Sequence, residues 1–577
     1  MSRKKLTVLC IILAGVLTIS LGVATPISMA YAQDNPKIFY VRSYSVVPTV
    51  ATDKDGLSWD TAFADLQTAL EAAKEVLASE EDPVGRVEIW VAAGTYRPTS
   101  ANGLTATVAE DQNRLKHFRL LNKVAIYGGF PAAGGPWEKR DWESNETTLS
   151  GNISESNSVG NCYHVFYNQG LDNTAILDGF TVTASNANSC SSTVAASNEN
   201  NQDSIHNSGG GFYNYNSSSV IRNVKITGNN ARMGGGMYNE ASSNPILNNV
   251  TFKDNTADDA GGGMYNYDSY PSLNNVTFAG NRTEGHGGGV FNDSGSLYPS
   301  GTGELTVMNG NSTIEFTNVE FADNHASSGG GVYNYYTNLS LNHVTFTENE
   351  AADGGGMHTI YSYCLLSNVE FNGNRADKEI GVGGGILTDC YDSEISVIPT
   401  EFTDVVFSGN TACYGGGMGN RGDVLSLNRV EFIANNANCG GAIGNNGYLE
   451  VNGAKFIGNN AKVDENVSGP GGGIWHIAGN LNLVNAIFSC NSAGSGGGIF
   501  SAGDFSLVNA TFSGNHAKYG GAMCCGKMFH EDSAEKGICS VNSSENEISS
   551  SNVTNCILWA NTADFGPQIY NTVAQEA

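Results

Sequence analysis

Polar and apolar residues alternate in short runs along most of this chain. Residues 249–252 read N-V-T-F, so that Val250 and Phe252 flank a polar residue, and the same four letters return at 275–278. A period of two is typical of a strand that buries one face. These runs contain no window with the spacing of an amphipathic helix. The pattern therefore predicts many short strands joined by turns.

One motif organises the strands into a repeat. It reads F-x-x-N-x-A and is followed, after two or more variable residues, by G-G-G or G-G-A, with most Phe positions 24 to 26 residues apart. The Phe positions are Phe252, Phe278, Phe321, Phe346, Phe371, Phe407, Phe432, Phe456, Phe488 and Phe512. The Asn positions are Asn255, Asn281, Asn324, Asn349, Asn374, Asn410, Asn435, Asn459, Asn491 and Asn515. Such regularity predicts a solenoid.

The repeat predicts an all-β fold, a parallel β-helix of about 13 coils with an N-terminal α/β cap. The unit is too short for a propeller blade, which takes about 40 residues. We expect residues 151–565 to form the coils, with insertions, and residues 566–577 to form a C-terminal tail. A single coil cannot bury its apolar face, so the core is expected to run along the stacked coils.

Each residue of the motif has an expected place in a coil. The Phe side chains are expected to stack on one another inside the solenoid. The Asn is expected at a turn, where it tolerates a left-handed backbone and its amide bonds the backbone and the Asn of adjacent coils. The glycine cluster supplies positive φ or a close backbone approach.

Residues 37–150 have a different pattern, which predicts the cap. Residues 39–41 and 88–91 read as strands. Between them, five apolar residues recur at the spacing of one helix face: Phe63, Leu66, Leu70, Ala73 and Leu77. A short amphipathic helix is therefore expected to cover the first coil, whose core and strand edge would otherwise be open.

Residues 1–32 have the layout of a cleavable signal peptide. Three basic residues precede an apolar run from Leu6 to Ala24, and residues 30–32 read A-Y-A, a small-x-small cleavage site. The alternative is an uncleaved membrane anchor, because the run is nearly long enough to span a bilayer. Pro26 and the cleavage site favour removal. We therefore expect a mature chain that is exported and has no transmembrane segment.

Cysteine usage fits an oxidising compartment. One of the 12 cysteines lies in the signal peptide, which leaves 11, an odd number. At least one thiol is therefore free or pairs between chains. Cys413 and Cys439 occupy nearly the same place in successive repeats, which makes them candidates for a bridge between neighbouring coils. No paired CxxC is present, so neither a metal nor another cofactor is expected.

Composition narrows the range of partners. The chain carries 57 acidic and 29 basic side chains, a net charge of −28. Nucleic acids and anionic membranes require a basic surface, so neither is an expected partner. Gly accounts for 72 of the 577 residues, which the turns of a solenoid explain.

A second column of aromatic residues follows the glycine clusters. Strand alternation turns each of them outward if the preceding Met, Val or Ile points inward. The expected members are Tyr213, Tyr238, Tyr265, Phe291, Tyr333, Trp475 and Phe500. Such a row suits stacking on sugar rings or burial against a protein partner. The alternative is that the rings only stack on each other and shield the sheet.

Two parts of the chain resemble known families. Residues 432–435, F-I-A-N, with residues 440–443, G-G-A-I, resemble the repeat of bacterial polymorphic outer membrane proteins, over roughly residues 180–565. Residues 55–96 look like the opening of secreted right-handed parallel β-helix proteins of the pectate-lyase-like superfamily. These resemblances imply a right-handed solenoid at the bacterial surface or outside the cell. The polymorphic proteins end in a membrane barrel, for which this chain leaves no room, so barrel anchoring is not expected.

Candidate chemistry is sparse in this sequence. Polysaccharide lyases and hydrolases need clustered carboxylates on one face. Acidic residues in the variable slots are Asp258, Asp259, Asp323 and Asp353. Solvated residues are expected in such slots anyway, and His325 and His516 share one slot of the repeat. No catalytic residue is therefore assigned.

These observations predict a secreted or cell-surface β-helix protein, a non-catalytic, adhesin-like scaffold that binds an extracellular glycan or a surface protein. The alternative is a polysaccharide-degrading enzyme on the same fold. Three or more carboxylates with a Lys or Arg in one groove would favour the enzyme. A smooth aromatic and Asn face would favour binding.

Overall fold

Parallel strands that pair in register from coil to coil build a parallel β-helix, as the repeat predicts. Strand Ile246–Lys253 pairs with Ser272–Ala279, so that Phe252 lies beside Phe278. The computed structural model describes residues 36–43, 54–79, 84–102, 104, 109–153, 160–188, 206–295, 313–390, 399–462, 469–526 and 551–571. The expected signal peptide, residues 1–32, lies outside the described residues.

The first side of the coils includes the strands that carry the Phe of the motif. The longer ones are Ile176–Thr183, Val220–Thr227, Ile246–Lys253, Ser272–Ala279, Thr313–Ala322, Asn338–Thr347 and Cys364–Asn372. The shorter ones are Thr400–Thr403, Val406–Ser408, Glu431–Ile433, Lys455–Ile457, Asn480–Val484, Ile487–Ser489, Asp504–Val508, Thr511–Ser513, Ser551–Thr554 and Ile557–Trp559.

Strands on the second side follow the glycine clusters. They are Phe166–Gln169, Phe212–Tyr215, Met237–Glu240, Met264–Tyr267, Val290–Asp293, Val332–Tyr335, Met357–Ile360, Ile386–Asp389, Ile474–Ala478, Ile499–Ser501, Met523–Cys525 and Ile569–Asn571. Strands Met418–Asn428 and Ile443–Asn452 belong to both sides, because each continues from the second side into the first.

Short strands after the motif Asn form the third side. Four of them pair in one parallel sheet and six in another. They are Asn186–Ala187, Asn230–Met233, Thr256–Ala260 and Arg282–Thr283, then Thr411–Tyr414, Asn436–Cys439, Asn460–Ala461, Ser492–Ser495, His516–Tyr519 and Thr562–Phe565.

One apolar core runs inside the coils, from Phe39 in the cap to Met523 near the other end. Its centre is a column of Phe side chains from Phe252 to Phe512. Their ring centroids are 4.4 to 5.0 Å apart and their planes nearly parallel. Because each ring contacts the rings above and below, the core is continuous although no single coil could form it.

The motif Asn residues form a second internal ladder. The amide of Asn349 donates to the carbonyl of Phe321 and to Oδ1 of Asn374, both at 2.9 Å. The expectation of a left-handed backbone at this Asn is wrong. The preceding residue takes that conformation instead, with φ 54° at Glu348 and φ 65° at Gly373. The reversal at that residue leaves the Asn side chain pointing inward to make both bonds.

Each glycine cluster serves two purposes, which one cluster illustrates. Gly354 has φ 60°, the left-handed conformation that glycine adopts without strain. At Gly355 an added Cβ would lie 2.3 Å from the carbonyl oxygen of Arg375. The turn therefore needs a flexible residue first and a residue without a side chain next.

The cap continues the first side of the solenoid and adds helices. Its strands are Lys37–Val41, Val87–Ala92, Gly94–Tyr96, Val124–Phe130 and Thr147–Ser150. Its helices are Leu66–Ala78 and Ala109–Arg114, with a 3-10 turn at Trp137–Lys139. None of the helices in the described ranges is long and apolar enough to cross a membrane.

Helix Leu66–Ala78 forms where the sequence predicts it. Asp65 caps its N-terminus, with Oδ1 accepting a hydrogen bond from the backbone N–H of Thr68 at 2.9 Å. Leu66, Leu70 and Ala73 are buried and join the inner core with the first strand. The helix thus covers the apolar face of the first coils.

Candidate functional site

The predicted aromatic column lies outside the inner core, on the outer face of the second side. Met237 points into the core, whereas Tyr238 belongs to a separate apolar cluster. Met264 and Tyr265 repeat this arrangement on the next coil, in register with the first pair. Strand alternation therefore places the column where the sequence indicates.

The rings of this column cover one another. Centroid separations from Tyr213 through Tyr238, Tyr265 and Phe291 to Tyr333 lie between 4.7 and 5.6 Å. Each of these side chains is at most 8% exposed. This stacking is the arrangement in which the rings shield the sheet, one of the two interpretations that the sequence left open. Because coils stack at about 4.8 Å, each ring closes the face of the ring beside it.

The hydroxyl groups of the column are held by acidic neighbours. The hydroxyl of Tyr213 donates to the Glu240 carboxylate, and that of Tyr238 reaches the same carboxylate at 3.3 Å. The hydroxyl of Tyr265 lies 3.4 Å from Asp293. Burial, followed by the charge of Glu240, raises the pKa of Tyr213 and Tyr238. These contacts orient the rings within the protein.

The column is interrupted before Trp475 and Phe500. In register after Tyr333 come His358, Leu387, Gly419 and Gly444. Trp475 follows, then Phe500, both buried in a different cluster. The ring of Tyr414 stacks on Trp475 at 5.7 Å. The seven predicted residues therefore belong to two clusters.

Replacing Tyr238 by alanine is expected to lower the free energy of unfolding by about 3 kcal/mol, because a ring stacked on both faces is removed. Tyr238→Phe keeps the ring and should cost at most about 1 kcal/mol. Urea denaturation followed by circular dichroism measures both. Equal losses in the two variants would contradict a stabilising role for the ring itself.

A second aromatic surface lies on the cap, on the outer face of the first side. We define the cap aromatic patch as Tyr40, Trp59, Trp90 and Trp137. Tyr40 and Trp90 are register partners on adjacent strands, with ring centroids 5.6 Å apart. Trp59 contacts Tyr40 at 4.8 Å, and Trp137 contacts Trp90 at 5.2 Å. The four rings thus form one continuous surface.

Buried groups beneath and beside the patch hold its rings in place. Phe130 is fully buried and stacks on Trp90 at 4.8 Å. The indole N–H of Trp59 donates to the carbonyl of Gly135 at 2.8 Å, and that of Trp90 to Glu88 at 2.9 Å. Trp137 remains 41% exposed. The patch is therefore both ordered and open to solvent.

A basic residue, Arg140, lies at the edge of the patch. The guanidinium of Arg140 lies 5.3 Å from the ring centre of Trp137 and donates to Asp178 at 2.7 Å.

The cap aromatic patch was not predicted from the sequence, because its residues are far apart in the chain. One signal was present, since four of the six Trp residues lie between positions 59 and 142.

Carboxylates meet a basic residue beside the break in the aromatic column. Asp353 and Asp389 lie 3.7 and 3.6 Å from the guanidinium of Arg421. Burial raises the pKa of nearby Asp423 to about 7, and the charge of Asp389 adds to the shift. Asp389 and Asp423 are buried and Asp353 is partly exposed. Three carboxylates and an Arg are thus close together, but two of the carboxylates are buried, so the group differs from carboxylates that open together into one groove, which would favour the enzyme.

The other acidic residues singled out from the sequence lie on the third side or at the turn that precedes it. Asp259 pairs with Arg232, and Asp258 accepts a hydrogen bond from Asn188 at 2.6 Å. Asp323 occupies a left-handed turn position with φ 52°. Within the described ranges, no three His, Cys, Asp or Glu side chains are grouped so that they could hold a metal ion.

Cysteine pairing differs from the candidate bridge. Cys439 takes part in a disulfide, whereas Cys413 keeps a free thiol that donates to the carbonyl of Glu379 at 3.0 Å. Cys413 and Cys439 therefore do not bridge neighbouring coils.

Comparison with known proteins gives no relative. The chain matches no protein-family model, no curated protein and no solved structure.

Proposed function

We propose that this protein is an exported surface scaffold that binds glycans, and that the cap aromatic patch is its contact surface. The observation that carries the proposal is the exposure of Trp137 beside Trp59 and Trp90 on a rigid support. Sugar rings present flat C–H faces, which pack well on aromatic rings. Here the rings are held by stacking and hydrogen bonds, so little side-chain entropy is lost on binding.

Charge favours a neutral glycan over an acidic one. The net charge of −28 repels a polyanion at long range. At short range, polar groups beside the patch, such as Glu88 and Arg140, match the mixed donors and acceptors of sugar hydroxyls. A neutral polysaccharide is therefore the expected ligand class.

Export and surface location rest on the sequence. The signal-peptide layout of residues 1–32 supports secretion. The resemblance of the repeat to polymorphic outer membrane proteins, and of residues 55–96 to the pectate-lyase-like superfamily, supports a right-handed solenoid in a bacterial surface or extracellular setting. A long rigid solenoid suits the display of a binding surface at its end.

Trp137→Ala is expected to weaken retention on neutral polysaccharides about tenfold, which corresponds to about 1.4 kcal/mol. The loss follows from removal of the exposed ring. Affinity electrophoresis in gels that contain single neutral polysaccharides measures the effect. Trp559→Ala is the matched control, because Trp559 is 72% exposed on the last described coil. That variant should migrate like the wild type.

Three results would contradict the proposal. Wild-type protein that no polysaccharide retards lacks the proposed activity. Equal retention of the wild type and Trp137→Ala would place binding elsewhere. Release of unsaturated sugars from a polysaccharide by the purified protein would favour the enzyme alternative.

A further inference from the structure

Three side chains from successive coils form a hydrogen-bonded chain beside the aromatic column. Ser328 Oγ lies 2.5 Å from Nδ1 of His358. Nε2 of the same ring lies 2.9 Å from Oδ2 of Asp389. A hydroxyl, an imidazole and a carboxylate connected in this order are the parts of an activated nucleophile, a base and the group that orients the base.

The three hydrogen-bonded side chains are not part of the repeat motif. In register, the neighbours of His358 are Tyr333 and Leu387, so a histidine replaces a ring or an apolar side chain there. The neighbours of Ser328 are His286 and Asp353. Other described coils carry Tyr or Phe in the place of His358. The three residues are thus a local feature of these coils.

One tautomer of His358 satisfies both contacts. With its hydrogen on Nε2, the ring donates to Asp389, and the lone pair on Nδ1 accepts the Ser328 hydroxyl. The Asp389 side chain is 1% exposed and lies 3.6 Å from Arg421. A carboxylate that accepts the Nε2 hydrogen fixes the orientation of the ring. This is the state in which an imidazole can take a proton from serine.

We propose that Ser328 is the nucleophile of an esterase site, with His358 as general base and Asp389 as its positioning residue. The substrate class is short-chain O-acyl esters, such as acetyl esters of sugar hydroxyls. Ser328 is only 8% exposed and lies in register between His286 and Asp353 of the adjacent coils. A small acyl group suits that restricted access. This activity goes beyond the proposed glycan binding and does not depend on it.

The reaction balances without a cofactor. Ser328 Oγ forms a bond to the ester carbonyl carbon while its proton passes to Nδ1 of His358. The bond from the carbonyl carbon to the alcohol oxygen breaks, and that oxygen takes the proton from Nδ1. Water then adds to the acyl-serine, with its proton again received by His358. The acyl–Oγ bond breaks, the proton returns to Oγ, and a carboxylic acid leaves.

Hydrolysis of p-nitrophenyl acetate by the full chain tests the proposal. Ser328→Ala and His358→Gln are each expected to lower kcat/KM by about a thousandfold or more. Asp389→Asn should lower it as well, mainly through kcat, because the base loses its orientation. Ser327→Ala is the matched control, since Ser327 is the exposed neighbour of Ser328, and it should leave the rate unchanged.

A fluorophosphonate probe gives a second readout on the wild-type protein. Mass spectrometry should find the adduct on Ser328, and His358→Gln should prevent it. If folded wild-type protein shows neither ester hydrolysis nor the adduct, the proposal is wrong. The hydrogen bonds among Ser328, His358 and Asp389 would then have a structural role only. Retention on polysaccharide gels should be the same for Ser328→Ala and the wild type, so failure of either proposal is seen separately.

Discussion

Replacing Gly355 by alanine is expected to lower the free energy of unfolding by more than about 4 kcal/mol, a loss seen only with severe steric conflict. The added Cβ would lie 2.3 Å from the carbonyl oxygen of Arg375 and 2.5 Å from that of Gly384. Both oxygens are backbone atoms of the next coil. These oxygens can move away only if the two coils separate. That separation would disrupt the hydrogen bonds and the apolar core between the coils.

Gly409→Ala is the matched control for this substitution. Gly409 has φ 64°, and no atom lies within 4 Å of its added Cβ. Its replacement should cost only the strain of a left-handed backbone, about 1–2 kcal/mol. Urea denaturation followed by circular dichroism compares the two variants. A loss at Gly409 as large as that at Gly355 would show that backbone conformation, and not space between coils, sets the requirement for glycine.

Asp423→Asn is expected to stabilise the protein at pH 8 by up to about 4 kcal/mol. Burial raises the pKa of Asp423 to about 7 from an ordinary value of 3.8. Above pH 7 the folded protein therefore contains a buried charge. Asparagine carries no charge and its Oδ1 can still accept the hydrogen bond from the N–H of Val424, which the carboxylate accepts at 2.9 Å.

We also expect Asp423→Asn to change how the free energy of unfolding depends on pH. Between about pH 4 and pH 7, the folded state holds a proton that the unfolded state has lost. The contribution of Asp423 to stability therefore falls as pH rises through this window, and Asp423→Asn should remove that fall. Denaturation midpoints at pH 5, 6, 7 and 8 measure it.

Asp404 provides a control of opposite sign. The hydrogen bond from Arg429 lowers the pKa of this exposed carboxyl. Its contribution to stability is therefore present above its unfolded pKa and lost as pH falls through the folded value. Asp404→Asn should leave the trend from pH 5 to pH 8 unchanged. We expect the wild type to lose stability relative to Asp423→Asn between pH 5 and pH 8. If it does not, Asp423 carries no buried charge in this range.

Local pattern was sufficient to predict the fold. Alternation in runs such as 249–252 indicated strands, and the fixed distance between motifs indicated that each repeat is one coil. The helix that begins at Leu66 was predicted from the spacing of its apolar residues. These features depend on neighbours within a few residues, or on identical neighbours one coil away, so the sequence contains the information directly.

Contacts between coils determine the exposure of the aromatic column and the backbone conformation beside the motif Asn. The sequence placed Tyr238 on the outer face, but stacking at the coil spacing covers both faces of its ring. The reversal beside Asn349 occurs one residue earlier than expected, because the amide bonds the coils on either side. In each case the position was predictable, whereas exposure and conformation depended on the adjacent coil.

The sequence by itself determined the parallel β-helix, because a repeated alternation can bury its apolar face only by stacking coil on coil. The tertiary structure alone decided which side chains meet across irregular distances in the chain. Trp59, Trp90 and Trp137 come together only when the cap folds, and Ser328, His358 and Asp389 only when three coils of unequal length stack. Such encounters join residues at unequal distances along the chain, and no local pattern encodes them.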